Sequence, residues 1–269
     1  MNHLQRELAP VPEAAWGAIE QEASRALRHF LTARRLLDFS GPHGWEHFAT
    51  SLGRAQSVTE SPVSGVEART RIVRPLVELR TPFTMNRDEL DAIERGALSP
   101  DLDAVTDAAR RAALAEDNAV FHGFAAGGID GIVDLSPHSP LAINDDYNRY
   151  PGTVARAVAV LREAGVEGPY AIALGPRCYT GVIETTEHGG YPVLEHIRTI
   201  LGGPVAWAPA VDGAVVVSQR GGDYEIVCGQ DFSIGYTSHD DRAVQLYLEE
   251  SLTLRIAGPE AAVRLYYPS

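Results

Sequence analysis

Two histidines lie four residues apart in the stretch His43-Gly-Trp-Glu-His47, the spacing at which one helix face can offer two imidazoles to a metal ion. Gly44 and the preceding Gly41-Pro42 oppose a helix there, and the order is not HExxH, so solvated loop histidines are the simpler reading. His188 and His196 lie near Glu187 and Glu195, but no cysteine or third ligand joins them. The glycine-rich stretches AAGGIDG (125–131), LGGP (201–204) and RGGD (220–223) fit neither GxGxxG nor GxxxxGK[ST], and read as turns. No GxSxG nucleophile elbow occurs; Ser233 in DFSIG is the nearest imitation, with the wrong flank. The pairs Asp145-Asp146, Asp240-Asp241 and Glu249-Glu250 are adjacent in sequence, so their side chains point apart, unlike an acid/base dyad. Cys178 and Cys228 stand singly among apolar neighbours, as small buried hydrophobes do.

All 23 basic residues are arginine. The absence of lysine excludes Schiff-base chemistry, a lysine general base and a phosphate-binding P-loop lysine. With 36 acidic residues the net charge is -13, which disfavours nonspecific coating of nucleic acid. No basic–aromatic platform for single strands appears either. The N-terminal stretch lacks an apolar signal core, and no run of about 18 apolar residues occurs, so the expectation is a soluble cytoplasmic protein with no membrane partner.

The 269 residues suffice for one large domain or two small ones. An amphipathic helix is predicted over 12–37, with Trp16, Ile19, Ala23, Leu27, Phe30 and Leu31 recurring at helical spacing. Residues 53–83 are broken by Pro62, Gly65, Pro75 and Pro82 and carry strand-like alternation at 66–72 and 76–80, which suggests a long hairpin. Such an arm is too thinly apolar to hold its own core, and a neighbouring subunit is the natural cover. A short helix follows at 86–96, then a long one at 101–126, capped by Asp101 and stopped by Gly127 and Gly128. Residues 134–220 are mixed α/β, and the last fifty are strand-rich. The first helical part and the last strands are expected to pack together, with the middle inserted as a lobe.

Several collinear stretches resemble the encapsulin shell proteins, the linocin-type family. They include LAPVPEAAWGAIEQEA near the N-terminus, ARRLLDFSGPHGWE (33–46), PLVELRTPFTM (75–85), AEDNAVFHG (115–123), EGPYAIALGP (167–176), GGYPVLEHI (189–197) and RGGDYEIVCGQDFSIGY (220–236). The resemblance implies an α+β, Hong Kong-97-type capsid fold. In that fold residues 1–52 start the P-domain with the N-terminal helix, 53–83 form the E-loop, 84–133 carry the spine helix, 134–220 are the A-domain, and 221–269 close the P-domain. It further implies a shell that closes by icosahedral symmetry, at about 60 copies for the smallest closure. Such a shell has no catalytic residues of its own. It encloses a cargo enzyme, a dye-decolourising peroxidase or a ferritin-like iron-storing protein, held by a C-terminal docking peptide on the inner wall. Matching positions for that dock are Phe30, Leu31, Arg34, Asp38, Asp231, Phe232, Ser233 and Leu248. The five-fold pore loop matches Glu187, His188, Gly189, Gly190 and Tyr191. Some members hold flavin against a tryptophan; here the matching position is Asp88, so no cofactor and no metal are expected. A phage capsid protein and a hydrolase are the rival readings.

Overall fold

A computed structural model describes residues 3–187 and 189–268, and it begins with a helix that buries one face. Helix α1 (Glu13–Phe30) turns Ala15, Ile19, Ala23, Ala26 and Leu27 inward. Across it lies the spine helix α4 (Asp103–His122), whose buried Val105, Ala108, Ala109, Ala112 and Ala113 are small enough to let the two helices approach closely. Helix α3 (Arg87–Glu94) adds Leu90 to the same core and is capped by the Asn86 side chain, which accepts from Asp88 N at 2.9 Å.

This helical layer covers a five-stranded sheet centred on the long strand β11 (Ala243–Ile256). Strand β4 (Val77–Asn86) runs antiparallel along one edge of β11, from Ala243↔Asn86 to Leu252↔Val77. The other edge is shared by β10 (Ser233–His239) and β9 (Tyr224–Cys228), and β1 (Asp38–Ser40) pairs parallel outside β9. The tight β10–β11 turn is built on Asp240, whose carboxylate accepts from Arg242 N and Ala243 N, both at 2.8 Å.

The inserted lobe has its own five-stranded sheet, in the order β5 (Leu141–Ala142), β12 (Ala262–Tyr266), β8 (Ala214–Ser218), β6 (Tyr170–Leu174) and β7 (Gly202–Trp207). Strands β6 and β8 are buried along their whole length, matching their unbroken apolar runs. Helices α6 (Tyr150–Glu163), α7 (Pro176–Glu184) and α8 (Val193–Leu201) pack on them, with the short α5 (Ile132–Leu135) against α4 and β12. The arm is a separate two-stranded ribbon, β2 (Ala49–Ser57) against β3 (Arg69–Pro75), largely exposed.

Four expectations change. The predicted helix over 12–37 breaks after Phe30: Leu31 is extended, and α2 (Ala33–Leu36) starts afresh. The carboxylate of Asp117 on α4 accepts from Thr32 N and Ala33 N, both at 2.9 Å, so a residue distant in sequence supplies the acceptor that a continuing helix would have supplied locally. The hairpin begins at Ala49, earlier than 53, and the stretch at 76–80 belongs to β4 in the main sheet rather than to the arm. Helix α4 ends at His122, before Gly127 and Gly128, because Gly123 takes a φ of 82°. Finally, 221–269 do not all close the first sheet: β12 crosses back into the lobe, pairing antiparallel with β8 and parallel with β5.

The turn after α4 depends on contact between two backbones. A Cβ at Gly131 would collide with the backbone of His122 and Gly123. Gly131→Ala is therefore expected to lower stability by about 2 kcal/mol, through the backbone shift that overpacking forces. The check is the thermal unfolding midpoint of the purified variant against that of the parent chain.

Candidate functional site

The helix break at Leu31 and Thr32 shapes a groove. Its floor is Ala23, Leu27 and Leu31 from α1 and its end, with Ile234 from β10 and Leu248 from β11. Leu4 and Phe232 stand at its sides, and the rim carries Arg6, Glu20, Ser24, Arg28, Arg34, Asp231 and Ser233 around a volume of about 400 Å³. The N-terminal segment makes one wall. Tyr236 N donates to Leu4 O at 2.8 Å, while Arg6 pairs with Glu20 at 2.6 Å and lies 4.2 Å over the Trp16 ring.

Beneath the rim Arg34 gathers three carboxylates. Its Nε donates to both oxygens of Glu116 at 2.8 and 2.9 Å, its Nη1 to Asp231 Oδ1 at 2.7 Å, and its Nη2 to Glu250 Oε2 at 3.0 Å. Glu116 and Glu250 are fully buried. Burial opposes the charge on Arg34, but the hydrogen bonds and charge of Glu116, with Glu250 and Asp231, more than offset it and keep the guanidinium charged. One cation cannot neutralise this whole set. Burial first, and Glu116 second, push the Glu250 carboxyl well above the ordinary carboxylate range. Asp117 is pushed up to about 7 by burial, against the two backbone N–H groups it accepts.

Arg34 also lies between aromatic faces, 4.7 Å from the Phe39 ring and 4.9 Å from the Phe232 ring. The Asp231–Ser233 bend is braced from within: Asp231 Oδ1 accepts from Phe232 N at 2.9 Å, and Ser233 Oγ donates to Asp231 O at 2.7 Å. Arg34 is thus a positioning residue that fixes Asp231 and Phe232, with its donors already engaged. Among the described residues the rim cation without a carboxylate partner is Arg28.

Of the eight dock positions, Leu31, Arg34, Asp231, Phe232, Ser233 and Leu248 line this groove. Phe30 and Asp38 do not. Phe30 turns its ring to His29 and Trp207 instead. Asp38, beyond α2, accepts from Gly222 N at 2.6 Å in a different hollow, beside Gln219 and Tyr224. The other α1 positions of the groove do have a signature in the sequence: on a helical wheel Glu20, Ser24, Leu27, Arg28 and Leu31 share one face. The contribution of Leu4 and Arg6 has no periodic signature.

The loop at 187–191 is a tight turn. Glu187 N donates to Tyr191 O at 2.8 Å, Gly190 N donates to Glu187 O at 2.7 Å, and Gly190 has a φ of 79°. Glu187 Oε1 meets His196 Nδ1 at 2.7 Å, and half-exposed Tyr191 lies edge-on to the same imidazole. Gly189 sits at the tip, and His188 lies outside the described residues. Ser40 Oγ and His43 Nε2 are 2.9 Å apart, but among the described residues no carboxylate holds the other imidazole nitrogen. No cluster of three metal-binding side chains occurs among the described residues.

The family model described as the encapsulating protein for peroxidase, Linocin_M18, matches residues 1–253. The type 1 encapsulin shell protein of Rhodospirillum rubrum is 53% identical over 98% of this chain and 96% of its own length. Those of Mycolicibacterium paratuberculosis and Mycobacterium tuberculosis are 51% and 44% identical, each over 98% of this chain and 99% of its own. A virus-like particle from Pyrococcus furiosus superposes with a TM-score of 0.66 at 17% identity, covering 92% of this chain and 98% of that one. The capsid of a native GTA particle gives 0.54 at 14% identity, covering 88% of this chain and 89% of that one. The shared architecture is the Hong Kong-97-type capsid fold, in its α+β form.

Proposed function

The chain belongs to the linocin-type family of encapsulin shell proteins, and we propose that it is the shell subunit of an icosahedral nanocompartment whose inner wall docks a cargo enzyme through the groove at Leu27, Leu31 and Phe232. The exposed arm supports assembly: among the described residues β2 and β3 are paired only to each other along their outer length, and a second copy supplies the missing cover. Closure at about 60 copies leaves no such edge open. The shell performs no chemistry on this reading; it encloses a peroxidase or an iron-storing ferritin-like protein in the cytoplasm. Among the described residues no helix is long and apolar enough to cross a membrane.

The observation that carries the docking reading is the division of labour in the groove. Its floor is apolar and open, while the strongest charge beside it, Arg34, is engaged by Glu116, Asp231 and Glu250. An extended peptide with apolar anchors fits that floor, and an acidic group on it meets Arg28. Phe232→Asp places a charge over the floor without disturbing the buried carboxylates. Particles of that variant, co-expressed with a reporter carrying the cargo's C-terminal peptide, are expected to assemble and to lose at least ten-fold in loading, corresponding to about 1.4 kcal/mol. Asp38→Asn, away from the groove, leaves loading unchanged. Full loading of the Phe232→Asp shell, measured by reporter fluorescence per particle, would refute the dock.

The turn at Glu187–Tyr191 lines the five-fold opening on this reading. Its Glu187–His196 pair sets the local charge, repeated around the axis, and favours small cations and neutral solutes. Asp88, in the exposed first turn of α3, offers a carboxylate where a flavin would need a stacking ring. The purified shell is expected to be colourless, with no tightly held cofactor.

A further inference from the structure

Away from the groove, where α6, α7 and the end of β12 meet, three phenols and a thiol converge. Tyr150 Oη lies 2.9 Å from Cys178 Sγ and 2.9 Å from Tyr267 Oη, and Cys178 Sγ lies 3.2 Å from Tyr267 Oη. These three atoms close a triangle around a buried thiol. Tyr147 extends it toward the surface. Its Oη is 3.2 Å from Tyr267 Oη and 3.3 Å from Oδ1 of exposed Asp145, and its ring lies 5.1 Å from that of Tyr150. Arg177 caps the outer end, paired with Asp145 at 2.6 Å and lying 3.8 Å over the Tyr267 ring.

Hydrogen bonding between neutral phenols and a thiol could serve only to tie the β12 end to the lobe. The arrangement has more in it than that: a continuous path of oxidisable groups from a solvent-exposed carboxylate to one buried sulfur. We propose that Asp145, Tyr147, Tyr267, Tyr150 and Cys178 form an oxidation relay that carries oxidising equivalents from the shell subunit's surface inward and ends as a thioether between Cys178 and Tyr150 or Tyr267.

The steps balance with a one-electron oxidant as co-reactant. Tyr147 gives one electron to the oxidant and its hydroxyl proton to Asp145, which passes it to water. The phenoxyl radical takes a hydrogen atom from Tyr267, and Tyr267 takes one from the Cys178 thiol, leaving a thiyl radical. A second oxidant removes one electron and one proton from the neighbouring phenol by the same path. Sulfur and the ring carbon beside the hydroxyl then form a bond, and the hydrogen on that carbon moves to oxygen to restore the phenol. Two electrons and two protons leave in total, and no water is consumed. Burial raises the Cys178 thiol above its ordinary pKa, so the thiolate that would attack peroxide is scarce and the one-electron route is the open one. Cys228 is also buried, with its thiol pushed up to about 12, but among the described residues no tyrosine hydroxyl touches it. It is an internal reference.

The sequence makes the test direct. Cleavage after arginine puts Tyr147, Tyr150, Cys178 and Tyr267 on four different peptides. The purified full-length shell is oxidised with photogenerated tris(bipyridine)ruthenium(III), digested, and read by tandem mass spectrometry. A Cys178 peptide joined to that of Tyr150 or Tyr267, two hydrogens lighter than the sum, is the expected product. Cys178→Ala abolishes it, and hydrogen peroxide alone does not form it. Tyr147→Phe keeps the ring that fills the space beside Gly181, so the fold is retained, and it lowers the yield several-fold. Cys178 recovered unlinked, or linked no more than Cys228, would overturn the proposal. An undiminished yield in Tyr147→Phe would remove the relay and leave only a reactive pair.

Discussion

Arg34→Met is expected to cost the subunit about 3–5 kcal/mol and to abolish most assembled particles. Arg34 reaches Glu116 through two nitrogens, at 2.7 to 2.9 Å, and also holds Glu250 and Asp231. Its removal strands the fully buried Glu116 without a countercharge. It also unlocks the Asp231–Ser233 bend and takes the cation from between Phe39 and Phe232. Unfolding of the dissociated subunit, followed by tryptophan fluorescence, should shift downward by roughly 10 °C. The mechanism has its own control. If the damage is an unpaired buried charge rather than lost volume, Arg34→Met combined with Glu116→Leu and Glu250→Leu should recover most of the stability, because neither buried carboxyl that Arg34 served is then left behind. A triple variant as weak as the single one would mean that Arg34 acts through packing instead.

What could be read from the chain beforehand divides along the range of the forces involved. The apolar stripe of α1, the whole-buried runs of β6 and β8, and the Asn86-to-Arg87 start of α3 are local patterns, and each appears in the structure close to where periodicity puts it. The Asp117 carboxylate that ends α1, and the Glu116–Arg34–Glu250 set, join residues more than 80 positions apart, and no spacing rule reaches that far. Strand β12 carries the same alternation whichever sheet it joins, so pattern alone could not separate the lobe from the closing strands. The groove was half legible. Leu31, Arg34 and the Asp231–Ser233 bend came from family resemblance, whereas Glu20, Ser24 and Arg28 follow from the helical wheel once the end of α1 is known. Phe30 matches the dock by the same resemblance, but its ring is engaged with Trp207 and, at 5.5 Å, with Arg110.

Raising the pH is expected to weaken the folded subunit, and Glu250→Gln to relieve that loss. Glu250 on β11 faces Glu116 on α4, Arg34 on α2, Asp231 before β10 and the Cys228 thiol on β9, while its sequence neighbour Glu249 points the other way to Arg80 and His3. Both Glu250 and Asp117 have folded pKa values raised above those of the unfolded chain. For an acid shifted upward the folded state binds the proton more tightly, so stability is greatest below the unfolded pKa and falls as pH rises toward the folded one. For Asp117, raised from 3.8 to about 7, that window ends near neutrality, and the loss across it is on the order of 4 kcal/mol. Glu250, also shifted upward, acts in the same direction. Carboxylates held below their ordinary range act the other way, losing stability as pH falls; Glu22, hydrogen-bonded by Arg25, and Asp240, bonded by two backbone N–H groups, do so from exposed or half-buried positions with small effect. Gln keeps an acceptor for Arg34 and a donor for Glu116 without a proton to lose. The unfolding midpoint of Glu250→Gln should therefore match the parent at about pH 4.5 and exceed it by roughly 3–5 °C at about pH 8.5. A variant less stable than the parent at the higher pH would show that Glu250 is ionised there and paired with Arg34, which would then be balancing two full charges in the interior.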